Sequence, residues 1–166
     1  MGHGGLEKLE WHTDWPTPTP GANEVLIKLE ACGLNNTDVN TRSGWYSKNV
    51  TEATTGGAYE SVGQEDPTWG GAPITFPRIQ GADSVGRVVA VGTDVDAGLI
   101  GQRVITDGWM RDWSQPDGMK VKGYFGSEAD GGFAEYTVRD SREVLPIQSS
   151  LSSAELATFS LSLIHI

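Results

Sequence analysis

The chain has 166 residues, a net charge of −10 and 37% hydrophobic content, enough for one domain with a modest core. That charge disfavours nucleic acid and anionic membranes as partners, because either needs a basic face. A single cysteine, Cys32, excludes an internal disulfide framework and any zinc site built from several thiolates.

In chain order, residues 6–11 and EVLIKLE (24–30) read as strands separated by the proline-rich turn WPTPTPG. Within EVLIKLE, Val25, Ile27 and Leu29 alternate with Glu24, Lys28 and Glu30, the period of a strand with one buried face. ACGLNNTD (31–38) follows, and VNTRSGWY predicts one helical turn that stops at Gly44. Residues 47–75 are rich in Gly, Thr, Ser and acidic side chains and read as an extended surface loop or lid. DSVGRVVAVG (83–92), IGQRVITDGW (100–109) and GGFAEYTVRD (131–140) predict three strong strands, and SREVLPI a short one. Gly131 and Gly132 are expected to permit a tight hairpin turn. From Leu151 the pattern becomes helical, with Ser152 or Ser153 as the N-cap and Glu155 in the first turn.

The opening residues do not read as a signal peptide, and LATFSLSLIHI is too short to span a bilayer, so a cytoplasmic location is expected. His3, His12 and His165 lie near the two ends without ligand spacing. GxGxxG, GKS or GKT, and HExxH do not occur, so the usual phosphate-cradling and metalloprotease motifs are missing.

Four segments resemble, in order and spacing, the N-terminal GroES-like domain of the medium-chain dehydrogenase/reductase superfamily. They are PGANEVLIKLEACGLNNTDVNTRSGWY, FPRIQGADSVGRVVAVGTDVD, GQRVITDGW and YFGSEADGGFAEYTVRDSREVLPI. That superfamily contains zinc alcohol dehydrogenases and zinc-free quinone reductases. The resemblance implies a mainly β fold over residues 1–150, a partly open GroES-like β-barrel with a few short helices. It implies that residues 151–166 begin the linking helix to a Rossmann domain that this chain does not include. It also implies NADP or NAD as cofactor, a small-molecule carbonyl substrate and a homodimer for the full-length protein. On this reading the chain is a fragment, inactive by itself.

In the zinc enzymes the segment equivalent to GLNNTD carries a ligand cysteine, and the resemblance puts Asn35 in that slot rather than Cys32. The ligand histidine of the second segment corresponds to Ala82 in Gly81-Ala82-Asp83, and a third ligand would fall near Leu161. Asn35 and Ala82 offer nothing that zinc favours, so no zinc is expected. The resemblance gives Thr37 the role of contacting the substrate oxygen and relaying a proton. It puts Asn35 near the nicotinamide, with Asn36 and Asp38 beside it, and Tyr46 on the same cleft. The relay histidine of the zinc enzymes corresponds to Asn40. Hydride transfer to a quinone, enone or aldehyde needs no metal where hydrogen bonds stabilise the developing oxyanion.

The residues also fit plainer roles. Asn35 and Asn36 suit a turn, Thr37 and Asp38 a helix N-cap, Trp45 and Tyr46 anchors in a core or loop, Asp83 a strand cap, and Cys32 a small buried strand position. Two other functions are open: a zinc-dependent alcohol dehydrogenase with ligands elsewhere, and a non-catalytic GroES-like binding module.

Overall fold

The computed structural model describes residues 2–47, 72–115, 118 and 120–162. The expected loop or lid at 47–75 therefore lies almost wholly outside the described residues.

Glu24–Gly33 forms β1, with Val25 and Ile27 fully buried on one face as the alternation requires. Asn36–Ser43 forms α1, and Asp83–Val91 forms β2, antiparallel to β1. β3 (Arg103–Thr106) pairs with β2, and β7 (Val144–Pro146) with β3. β6 (Tyr136–Asp140) pairs with the other side of β1. The five-stranded order is therefore β6-β1-β2-β3-β7.

That order dictates the shape. β6 and β7 lie at opposite ends of it, yet only Ser141–Glu143 joins them. Four residue steps reach at most about 14 Å, whereas four inter-strand spacings in a flat sheet span about 19 Å. The sheet must curl until its edges approach, which gives the mainly β, partly open barrel expected from the sequence. Val25, Ile27, Val88, Val104 and Val144 fill the curl. Each such buried side chain contributes about 1.5–3 kcal/mol. A second cluster packs Leu156 and Ala157 against Val85, holding α2 (Ser153–Leu156) and then α3 (Phe159–Ser162) near the β1–β2 pair. Ser152 is the N-cap, exchanging bonds with Glu155 as the sequence suggested.

The structure corrects four local readings. Residues 6–11 are not a strand: Leu6–Lys8 is a single 3-10 turn and the chain then runs extended without a partner strand. Leu6 and Leu9 are spaced by three, and both are exposed with Trp11, so there is no face for a strand to bury. The chain just before it docks on the end of α1, where Gly4 N donates to Arg42 O at 3.0 Å and Arg42 donates back to Gly4 O.

Residues 100–109 are not one strand. Asp107 Oδ1 accepts the Trp109 amide at 2.9 Å, a side-chain turn that ends β3. The chain leaves into β4 (Trp109–Arg111), which pairs with β5 (Val121–Tyr124) in a separate ribbon. Residues 131–135 are likewise not strand. Finally, Gly131 and Gly132 do not make a hairpin. Their amides donate to Ile79 O and Gly81 O at 2.8 and 2.7 Å, and a Cβ on Gly131 would sit 2.4 Å from Gly81 O. The two glycines let one backbone lie directly on another.

Candidate functional site

At the end of β1 the chain turns and enters α1 through a complete cap. Asn35 Oδ1 accepts the Thr37 amide at 3.2 Å, and Asp38 Oδ2 accepts the Asn35 amide at 2.9 Å. Gly44, at φ 72°, closes the other end in the left-handed conformation that glycine tolerates best. The ACGLNNTD segment is thus a strand end followed by a capped helix start, and both plainer readings of Asn35 and Asp38 hold locally.

Asp38 also reaches across the fold. Its Oδ1 accepts the Gly81 amide at 3.2 Å, and its carbonyl accepts from Gln80 Nε2 at 2.8 Å. These bonds fix α1 against the chain entering β2. The β1–β2 register then sets Ser84 beside Cys32 and Asp83 beside Gly33, and Ser84 Oγ donates to Cys32 Sγ at 3.5 Å. Asp83 is buried and accepts from Ser160 Oγ of α3 at 2.7 Å. The chain near Leu161 therefore returns to the segment that holds Ala82 and Asp83.

A residue that sequence reasoning missed completes the cluster. Tyr124, at the end of β5, is buried, packed edge-on against Trp109 with ring centroids 5.2 Å apart. The hydroxyl of Thr37 is buried, and Thr37, Asp83, Asp38 and Tyr46 all lie close enough to the Tyr124 phenol to act on it electrostatically. Tyr46 is half-buried, stacks edge-on with Trp45, and accepts a hydrogen bond from Asn40 Nδ2 at 3.3 Å. So Thr37, Asp38 and Tyr46 come together around Tyr124. Asn36 faces solvent at the helix start, and its neighbour Leu34 is 86% exposed.

The electrostatics follow from burial among carboxylates. Burial pushes the Asp38 carboxyl above its ordinary value, and the Asp83 charge adds to this, while the amides of Asn35 and Gly81 pull the other way. Burial pushes the Cys32 thiol up to about 11, with Asp38 and Asp83 contributing and the Ser84 hydrogen bond opposing. Burial drives the Tyr124 phenol well above its ordinary range, reinforced by Asp83, Asp38 and Tyr46 and opposed by Thr37. This pocket keeps the Tyr124 phenol and the Cys32 thiol protonated near neutral pH.

As a metal site the donor set is poor. Asn35 Oδ1 is engaged in capping, Ala82 presents a buried methyl group, and Cys32 is held as a thiol. Among the described residues no three or more His, Cys, Asp or Glu side chains converge. His3 sits edge-on to Phe76 and His12 near Trp15; His165 lies outside the described residues. A broad groove of about 1250 Å³ runs from Trp11 and Trp15 past Arg78 and Phe133 to Cys32 and Leu34. No helix among the described residues is long and apolar enough to cross a membrane.

Known proteins share this architecture. Residues 21–149 match the family described as alcohol dehydrogenase GroES-like domain. The alcohol dehydrogenase notN of Aspergillus sp. (strain MF297-2) is 31% identical over 153 residues, 87% of this chain and 37% of that protein. A quinone oxidoreductase of Lama guanicoe is 28% identical over 148 residues, 89% of this chain and 32% of that protein. A provisionally named alcohol dehydrogenase of Sinorhizobium meliloti 1021 superposes with a TM-score of 0.76 at 41% identity, over 96% of this chain and 41% of the other. The chain thus spans well under half the length of these relatives.

Proposed function

Because the chain belongs to the alcohol dehydrogenase GroES-like domain family of the medium-chain dehydrogenases/reductases, we propose that it is the N-terminal catalytic part of an oxidoreductase that works without zinc and uses NADP or NAD. The substrate is a small carbonyl compound: a quinone, an enone or an aldehyde. Residues 151–166 begin the link to the nucleotide-binding domain. The full-length protein is a cytoplasmic homodimer, and the chain alone does not turn over.

The observation that carries this reading is the buried Thr37 hydroxyl at the capped start of α1, where the ligand slots hold Asn35 and Ala82. When bound, reduced NAD(P) supplies a hydride to the substrate carbon and is itself oxidised. Thr37 donates a hydrogen bond to the substrate oxygen as negative charge grows there. Tyr46, Asn35 and exposed Asn36, with the apolar Leu34 beside them, form the edge that borders the nicotinamide. Asp38 supports that edge from beneath by fixing α1 to Gly81. Asn40, bonded to Tyr46, does not continue a relay as an imidazole would.

The test is to purify the full-length protein, determine its metal content, and follow NADPH and NADH oxidation with enone, quinone and aldehyde substrates, with and without a chelator. Turnover that survives chelation in protein with substoichiometric zinc is the expected result. Stoichiometric zinc and loss of turnover on chelation would establish the zinc-dependent alternative. No turnover with any substrate class would leave the binding module.

A further inference from the structure

We propose that the outer edge of β6 is a docking site for one extended, basic peptide, which pairs with it as an added strand. The inference is independent of the oxidoreductase reading above.

The hydrogen-bond parity of β6 defines the site. Just beyond its two ends, Leu29 N donates to Glu135 O and Ser141 N donates to Asn23 O, both at 2.9 Å. Bonded positions in an antiparallel pair recur at every second residue. Within β6, Thr137 and Arg139 therefore turn their amides and carbonyls to β1, and Tyr136 and Val138 turn theirs outward. Among the described residues no strand lies on that side, and no backbone group pairs with the outward ones. The edge is also unguarded. β7, at the other end of the sheet order, is three residues long and carries Pro146, whereas β6 has five residues, no proline and no bulge.

The surroundings of this edge select the occupant. The groove of about 1250 Å³ is lined both by residues 133–140 and by most of the extended chain from Leu9 to Pro18. A single strand fits beside that chain, whereas a second copy would bring a whole sheet with its β6. The lining carries seven carboxylates against five lysines and arginines, on a chain of net charge −10. Two of the arginines are already paired, Arg78 with Asp130 and Arg139 with Glu143, and exposed Glu135 stands just before β6. Leu9, Trp11 and Phe133 are exposed in the same groove. Such walls favour a strand of alternating basic and apolar residues. Its backbone meets Tyr136 and Val138, its apolar side chains cover Trp11 and Phe133, and a lysine or arginine reaches Glu135.

The experiment titrates the full-length protein with a fluorescein-labelled peptide of about eight residues, alternating valine and lysine, long enough to span β6. Anisotropy should show saturable binding that weakens as salt rises, and hydrogen exchange should show the Val138 amide protected only when the peptide is present. A backbone-N-methylated form of the peptide, and one with glutamate in place of lysine, should not bind. Val138→Pro removes an outward donor that β1 does not use, so with the fold intact it should weaken binding by about 3- to 10-fold. Glu135→Lys leaves the backbone edge whole and should weaken it as well. A Val138 amide already protected in the free protein would show the protein's own chain on this edge, and a dimer abolished by Val138→Pro would show a second copy there. Either result overturns the proposal. So does binding indifferent to N-methylation or to Glu135→Lys, and so does the lack of saturable binding by the valine–lysine peptide.

Discussion

Asp38 Oδ1 accepts the Gly81 amide at 3.2 Å, so a buried carboxylate helps fasten the helix that carries Thr37 to the chain entering β2. The folded carboxyl titrates above its ordinary value, chiefly through burial. A carboxyl raised in this way stabilises the fold when neutral: fully below the unfolded value of about 3.9, and less as pH rises through the folded value. The stability of the parent relative to Asp38→Asn, from urea melts between acid and neutral pH, should therefore fall as pH rises. A difference that grows with pH would mean a depressed carboxyl and contradict the assignment.

Arg139 and Glu143 form an ion pair at 2.8 Å with both side chains only 3% exposed. Glu143 also accepts the Arg111 amide and Trp113 Nε1, and Arg139 donates to Asp107 O and lies over the Phe125 ring. Removing one partner strands a buried charge, so Arg139→Ala or Glu143→Ala should each cost about 3–5 kcal/mol. The double substitution should cost clearly less than the two added together. Chemical denaturation of all four proteins measures the coupling, and strict additivity would show that the two charges are not paired.

Gly131→Ala sets two small effects against each other. Reduced freedom of the unfolded chain favours alanine by about 0.4–1 kcal/mol. A Cβ would meet Gly81 O at 2.4 Å and Gln80 O at 2.6 Å, both backbone atoms that cannot rotate away. Steric cost should win, with a net loss of about 1–3 kcal/mol in a thermal or urea melt. A stabilised variant would mean that this backbone contact is looser than described.

Cys32 should react slowly despite being the chain's only thiol. With the thiol held up to about 11, iodoacetamide should label the native protein far more slowly at pH 8 than the urea-unfolded chain. The native rate should keep climbing as pH approaches that value. Rapid labelling that levels off near pH 8.5 would show a thiol without this environment.

Much of the site was legible because it is local. Asn35, Thr37 and Asp38 fall in one capping sequence, and the alternation of Val25 and Ile27 marks the strand that leads into it. Tyr124 was not legible: β5 is only VKGY, its alternation is broken by Lys122 and Gly123, and nothing local says that it joins this cluster. The break in 100–109 was hidden for a related reason. Ile105 and Trp109 fall on the same parity of a strand pattern, and the Asp107 side chain between them, bonding the Trp109 amide, redirects the backbone. The strand-like reading of 131–135 failed because the amides of 131–133 pair with irregular backbone at 79–81, which carries no periodicity of its own.

The strand order also bears on how the chain assembles during synthesis. β1 emerges early, but its interior position needs β2 on one side and β6 on the other, where Val25 meets Val91 and Arg139. Until residues 136–140 have been made, one edge of β1 has no partner and Ile27 has only part of its cover. Sheets built from such distant pairings fold on the millisecond-to-second scale. The barrel therefore condenses late and nearly all at once, and a ribosome-bound nascent chain presents an open strand edge of the kind that chaperones and aggregation compete for.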